Sequence, residues 1–378
     1  MKFILAPDKY KGSLTGQQFC EIVERGIRRV FPNAEIVHMP LADGGDGTME
    51  VVKYYLKVSK VSVSVQDPLF RDVESGYLIS KGKETAFVEM SEASGYKLLE
   101  KDELNCMLTT SYGMGQLIAH AIKQGAKEIV LGIGGSATND AGMGMAKALG
   151  YQFLDEEGNQ LTPIGENLVK VSKIDVSNVL PGLKNIQIKV ACDVNNPLYG
   201  KEGAAYVYAP QKGASPEDVV FLDEGLQSFA KVVQQQFGVD VQQIPGAGAA
   251  GGIGAGTKVF LDAELISGID LVKSMADFDN AIDGADWIIT GEGQLDGQTL
   301  SGKTIDGVMQ SAKAKNIPVA TLCGSVAVSM EELETMGLHY VTSILNGIGT
   351  LEDAKRKSVE NLEQASYNFA KLLNQARK

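Results

Sequence analysis

The sequence predicts an α/β protein of two α/β domains, in which a discontinuous domain with a parallel sheet is interrupted by an inserted domain with a mixed sheet. Three observations carry this. Short β-branched runs alternate with amphipathic helical stretches at both ends of the chain, the pattern of parallel βα units. The middle instead sets two strands, 74–79 and 85–90, next to each other with no helix between them, which reads as antiparallel pairing. The length of 378 residues also exceeds a typical single domain. The expected division is 1–66 with 285–378 as the discontinuous domain and 67–284 as the insert.

In chain order, 3–6 reads as a first strand, broken by Pro7-Asp8. An amphipathic helix follows, with Phe19, Ile22, Val23, Ile27 and Val30 at three-and-four spacing and Ser13 or Thr15 as N-cap. A strand at 35–39 runs into Asp43-Gly44-Gly45-Asp46-Gly47-Thr48, and a helix takes up 49–56. Val61, Val63 and Val65 alternate with polar residues as in a half-buried strand, and Asp67-Pro68 marks the first crossing between domains. The run 128–131 is a buried strand that feeds GIGGSATNDAGMG (132–144), with good helix formers after it. Further on come a strand at 186–192 ending in Asp193, a helix at 216–237, and a glycine-dense stretch at 246–256 read as a close-approach loop. Strands at 287–290, 319–323 and 340–344 and a helix at 304–315 restore the parallel pattern. The final helix shows one face of Val359, Leu362, Phe369, Leu372 and Leu373.

Composition excludes several function classes. A net charge of −12 and a sequence pI near 4.9 argue against nucleic acid or an anionic membrane as partner, though local bases can still receive an anionic substrate. The 4 cysteines form no CxxC pair and the 3 histidines no HExxH, so neither a zinc site nor a histidine relay is expected. No apolar run reaches membrane-spanning length and no secretory leader is evident, which points to the cytoplasm.

The chemistry lies in the loops. Strand, glycine turn and helix around 132–144 present backbone N–H groups and a helix N-terminus to an anion, with Ser136, Asn139 and Asp140 close behind the glycines. Gly132-x-Gly134-x-x-Ala137 also fits a dinucleotide fingerprint, as does Gly246-x-Gly248-x-x-Gly251, so a dehydrogenase is a rival reading. Against it, Thr138-Asn139-Asp140 and a second glycine pair intervene before the helix. Gly297 to Thr304 satisfies the Walker A pattern, but it starts too far from the end of its strand for a P-loop; Lys303 could still meet a phosphate. Asp43 and Asp46 flank a glycine pair at a strand end, which suits a hard cation or a carboxylate base. Acids for Mg²⁺, lysines for phosphate and glycine loops for backbone contacts make up the kit of phosphoryl transfer. A non-catalytic phosphometabolite-binding regulator is a third reading.

As a set, APDKYKGSLT, PLADGGDGT, GIGGSATNDAGMGMAKALG, ACDVNNPLYGKEGAAYVYAPQKGA, GAGAAGGIGAG and GEGQLDGQTLSGK resemble the glycerate kinase family of the bacterial type, from about residue 3 to 350. Asp46 stands where glutamate is more common, Lys9-Tyr10 where Ser-Phe is common, Ala141 where glycine is frequent, and Ile305 where proline is usual. The resemblance implies a flavodoxin-like split domain, an inserted domain and an active site in the cleft. It implies ATP and Mg²⁺ as cofactors and D-glycerate as substrate, phosphorylated at the 2-hydroxyl with the 3-hydroxyl as the other option. It leaves open whether the chain is a homodimer. On that footing Asp43 or Asp193 is expected as general base, Asp46 or Asp296 as Mg²⁺ ligand, and Lys9, Lys11 and Lys303 as stabilisers of the transferring phosphoryl. Arg71 is expected to clamp the glycerate carboxylate, aided by Ser136, Asn139, Asp140 and Lys212, while Gly134, Gly135, Gly248, Gly251 and Gly252 offer backbone N–H groups to nucleotide.

Overall fold

The computed structural model describes residues 1–43, 48–82, 84–296 and 304–377. The chain divides into two compact units, Met1–Leu56 with Ser267–Lys378, and Lys57–Ile266. Both crossings therefore fall elsewhere than expected. The strand Val58–Gln66, placed in the first domain from its alternation, pairs antiparallel with Asp72–Ser80 across the Asp67-Pro68 turn, from Val58↔Ser80 to Gln66↔Asp72. It belongs to the second unit because its hydrogen-bonding partner lies just after the break. Residues 267–284 belong to the first unit, since Ile269, Val272, Phe278 and Ile282 sit in that unit's core.

The first unit is a five-stranded, all-parallel sheet in the order Tyr340–Ser343, Val319–Cys323, Trp287–Thr290, Lys2–Leu5, Glu35–His38. Numbered within the unit this is the flavodoxin-like 2-1-3-4-5 order, with its switch point between Lys2–Leu5 and Trp287–Thr290. Alternation along the strands builds a core on each face. Ile4, Ile288 and Val319 pack under the helices Thr48–Tyr55, Gly268–Met275 and Thr304–Ala314. Phe3, Leu5, Ile289 and Leu322 pack under Gly16–Arg28 and Ser358–Ala376. Full burial of a side chain such as Phe19 or Phe369 contributes about 1.5–3 kcal/mol.

Helix Gly16–Arg28 starts at Thr15, whose hydroxyl accepts the Gln18 N–H at 3.1 Å while the Gln18 side chain accepts the Thr15 N–H at 2.9 Å. In the last helix Val359 and Leu372 are exposed, contrary to the expected face; Leu362, Ala365, Phe369 and Ala370 carry the packing.

The second unit is a six-stranded mixed sheet in the order Glu264–Ile266, Gln187–Ala191, Glu128–Gly132, Thr85–Glu89, Asp72–Ser80, Val58–Gln66. The first four strands pair in parallel, and the last two are added by antiparallel pairings. Helix Pro216–Phe237 matches its expected span, with Ser215 as N-cap and Gly238 as a left-handed C-cap. The stretch 246–256, expected as a loop, contributes most of a helix, Ala249–Leu261, broken at Ala250, Gly251 and Gly252, which all take positive φ.

Gly26 lies where Gly16–Arg28 crosses the last helix, and a methyl there would stand 2.0 Å from Ser366 Oγ and 2.7 Å from the Glu363 carbonyl oxygen. Gly26→Ala should therefore destabilise the first unit by about 1–3 kcal/mol. The helix-propensity gain of about 1 kcal/mol is outweighed because a backbone atom cannot step aside. Thermal unfolding of the variant checks this, and a raised midpoint would contradict it.

Candidate active site

In the first unit, the loops after adjacent strands are zipped together at the switch point. Met39 N–H donates to Leu5 O at 2.7 Å, Leu41 N–H to Pro7 O at 2.8 Å, and Asp8 N–H to Gly291 O at 2.9 Å. Those bonds fix the backbone at Asp8. Its Oδ1 accepts the Lys9 N–H at 2.6 Å and its Oδ2 the Thr304 hydroxyl at 2.6 Å. Burial pushes the Asp8 carboxyl up to about 6, and the nearby charge of Asp43 adds to the rise. Asp8 and Lys9 line a cavity of about 290 Å³ together with Gly16, Leu41, Glu50 and Tyr54.

Asp43 follows the strand Glu35–His38 and is half-buried, as is Lys9, whereas Lys11 is exposed. Asp296 follows the short strand Gln294–Leu295, itself paired with Ser325–Val326. Asp46 and Lys303 lie outside the described residues. Asp8 and Asp43 offer only oxygen donors, the set that suits Mg²⁺, which keeps several waters and needs one or two carboxylates beside substrate phosphates. Among the described residues there is no cluster of three or more His, Cys, Asp or Glu side chains that could hold a metal.

In the second unit, the loop after Glu128–Gly132 differs from its expected role. The helix that follows is only Met143–Ala148, and its first N–H groups are already engaged. Asp140, wholly buried, accepts the Gly142 N–H at 3.1 Å, the Gly144 N–H at 3.1 Å, the Ser111 N–H at 2.8 Å and the Ser111 hydroxyl at 2.7 Å. The anion at this helix start is the protein's own. Asp140 is thus a loop organiser and not a substrate contact; burial raises its carboxyl above the ordinary range against the pull of those bonds. Asn139 is also fully buried, and both its side-chain atoms, like Thr138 Oγ1, have no hydrogen-bond partner among the described residues.

Lys212 comes from a separate turn, Pro210–Lys212, and is 3% exposed. Its Nζ donates to Ser136 Oγ at 2.7 Å and to Thr138 O at 2.8 Å. Burial lowers its ammonium to about 8, while Asp140 works in the opposite direction. The structure thus joins Ser136 to Lys212 directly, while Asp140 gathers a separate set of donors and acts on Lys212 only through its charge. Gly134 and Gly135 are exposed, Gly135 at φ +71°, and remain open to a ligand.

Other expectations need correction. Gly248, Gly251 and Gly252 are buried against backbone: a Cβ on them would stand 2.1 Å from Pro197 O, 2.0 Å from Thr138 O and 2.9 Å from Ala141 Cα. They let a helix approach the 138–142 loop closely. Arg71 gives its Nε–H to Asp67 Oδ2 at 2.6 Å and its terminal nitrogens to Glu103 at 2.6 Å and 3.3 Å, so its fork is filled by the protein's own carboxylates. Asp193 is exposed, just past the strand Gln187–Ala191. The dinucleotide reading fits neither glycine cluster, because in one the helix starts late with its amides spent and in the other the glycines are buried.

Sequence reasoning passed over Asp8, Thr304 and Glu89. Asp8 was legible as the first carboxylate after the first strand, but it was read only as a strand breaker. Thr304 follows the 297–303 stretch and gives no signal of its own. Glu89 ends a strand that reads as apolar.

Comparison with known proteins follows the same line. The family model described as the glycerate kinase family matches residues 3–374. A glycerate kinase of Halalkalibacterium halodurans is 43% identical over 367 residues, 97% of this chain and 97% of its own length. A glycerate 2-kinase of Escherichia coli is 42% identical over 373 residues, 99% of this chain and 98% of its own. A crystal structure assigned as glycerate kinase 2 from Salmonella typhimurium superposes with a TM-score of 0.89 at 40% identity, covering 100% of this chain and 99% of that one.

Asp140→Asn should cost about 3 kcal/mol or more, because an amide nitrogen would then face N–H donors inside a buried network. Urea unfolding of the second unit measures this, and a loss under about 1 kcal/mol would show the loop to be held by something else.

Proposed function

The chain belongs to the glycerate kinase family, and we propose that it transfers the γ-phosphoryl group of ATP to D-glycerate at the 2-hydroxyl, giving 2-phosphoglycerate. The observation that carries this reading is the closeness of Asp43 and Lys9 to Asp8 at the switch point of a flavodoxin-like sheet, where open α/β sheets receive their ligands. The 42% identity to a glycerate 2-kinase supports the position.

Asp8 and Asp43 would hold Mg²⁺, with Asp46 and Asp296 as further carboxylates, and Lys9, Lys11 and Lys303 would meet the phosphoryl oxygens. Bound there, the ion would neutralise charge on the transferring group. Thr304 keeps Asp8 oriented by donating to one of its oxygens, leaving the other to the Lys9 amide. In the second unit, the exposed Gly134 and Gly135 leave room for close approach of an anion, and Lys212 sets a positive charge behind Ser136. A small anionic substrate and ATP are the partners, and the cytoplasm is the place of work. No helix among the described residues is long and apolar enough to cross a membrane.

Incubation with ATP, Mg²⁺ and D-glycerate, followed by ³¹P NMR, should give a new phosphomonoester resonance that is missing without glycerate. Its proton coupling distinguishes phosphate on C2 from phosphate on C3, and intact ATP would remove the kinase reading. Asp43→Asn should fold normally and lose about 10²-fold or more in kcat, the scale of a lost electrostatic contact to the reacting group. Near-normal turnover of that variant would take Asp43 out of the site.

A further inference from the structure

Glu89 closes the strand Thr85–Glu89 at the edge where the parallel strands of the second sheet end. Its carboxylate lies across Gly132 of the next strand: a methyl at 132 would stand 2.5 Å from Oε2 and 2.8 Å from Oε1. Glycine at 132 is what allows the carboxylate to lie there. The group is half-buried, and no hydrogen bond or ion pair is found for it among the described residues. The charged residues facing it are Glu92 and Lys97, and these two pair with each other. A half-buried carboxylate without a donor is costly and calls for an explanation.

The surroundings supply one. Beyond Gly132 come Gly134 and Gly135, exposed, with Ser91 and Tyr96 within 3.2 Å and 3.7 Å of where a Gly135 side chain would begin. Ser136 and its Lys212 partner follow directly. The next strand is in register with this one, Gly132↔Ala191, and carries Asp193 two residues later. This edge thus combines an acceptor without a donor, small residues that leave room, and a buried positive charge.

We propose that Glu89 is the general base of the acceptor subsite, receiving the hydroxyl proton of a small hydroxy acid. The assignment rests on the phosphotransferase reading above. As the hydroxyl oxygen forms its bond to the γ-phosphorus, its proton passes to a Glu89 oxygen. The bond from that phosphorus to the β,γ-bridging oxygen breaks, and its electron pair leaves with ADP. Glu89 then returns its proton to solvent. Burial, with Glu92 adding, pushes the Glu89 carboxyl up to about 7, where a base works best near neutral pH.

The test compares wild type with Glu89→Gln by steady-state kinetics, calorimetric ATP binding and thermal unfolding across roughly pH 5 to 9. We expect kcat to fall by about 10²- to 10⁴-fold with ATP affinity kept. The acid limb of the wild-type profile, with its midpoint near 7, should vanish. Because the folded carboxyl titrates above its ordinary 4.5, its contribution to stability is full below that value and lost as pH rises through 7. Relative to wild type, the Gln variant should therefore gain in midpoint between those two pH values. A purely structural carboxylate would instead leave the acid limb in place and make the variant less stable at every pH. As a second variant, Gly132→Ala should displace the carboxylate and lower kcat while ATP still binds. A Glu89→Gln enzyme within about threefold of wild-type kcat, with its acid limb intact, overturns the proposal alone. A wild type that forms no ADP in response to glycerate overturns the kinase reading, and this assignment falls with it.

Discussion

The hydrogen bonds that converge on the buried Asp140 carboxylate set the geometry of the second unit's functional edge. A charge with no exposure to water is tolerable only if the protein replaces hydration donor for donor, and here three amides and a hydroxyl do so. Two of the amides belong to the start of Met143–Ala148, so the chain has to turn back on itself between strand and helix. Ala141 at φ 49° and Gly142 at φ 74° make that turn. For Ala141 the left-handed conformation costs on the order of 1 kcal/mol, which the network has to outweigh. The Ser111 hydroxyl extends the same network, accepting the Met145 N–H at 2.9 Å while it donates to Asp140. What remains exposed to meet a ligand is the earlier part of the loop, Gly134 and Gly135.

Close approach of backbones does the rest. Gly251 lies against Thr138 and Asn139, Gly252 against Ala141, and Gly256 against Ala141 and Gly142. The Ala141 N–H also donates to Gly251 O at 3.1 Å. The glycine-rich helix therefore acts as a wall behind the loop, and any side chain there would drive the two apart. This packing leaves Asn139 buried with its amide unmatched among the described residues, a cost of about 1–3 kcal/mol per group.

Much of this was legible in the sequence, for physical reasons that differ by residue. Short apolar, β-branched runs mark the strands at 128–131 and 287–290, and helical sequence marks Pro216–Phe237, because these choices follow from local backbone preference and burial. The loop with Ser136 and Asp140 was legible as a site because glycines and polar residues cluster after a strand. Spacing could not show which donors a carboxylate would gather, since Ser111 reaches Asp140 from 29 residues away. The same limit hid the partners of Arg71, one of them 32 residues distant, and the pairing of Val58–Gln66 across a proline turn. Glycine density misled at 246–256, because glycine serves close helix packing as readily as ligand contact.

Three carboxylates show how a raised pKa should be read here. Asp140, Asp8 and Glu89 all sit above their ordinary values, and in each the largest cause is burial. Burial therefore does not separate a structural acid from a functional one. The number of donors does. Asp140 has four and is fully engaged in shaping its loop. Among the described residues Asp8 has two, one on each oxygen, which orient it and leave further lone pairs where it lines the cavity. Glu89 has none among the described residues. A group desolvated without compensation destabilises the fold, and such departures from local consistency gather where a ligand completes the set. Both under-satisfied acids lie at the C-terminal edge of parallel strands, in two sheets of different topology. The common factor is the edge itself, where strands end and loops open toward solvent, and where an acid held short of donors can take a proton or a cation from what binds there.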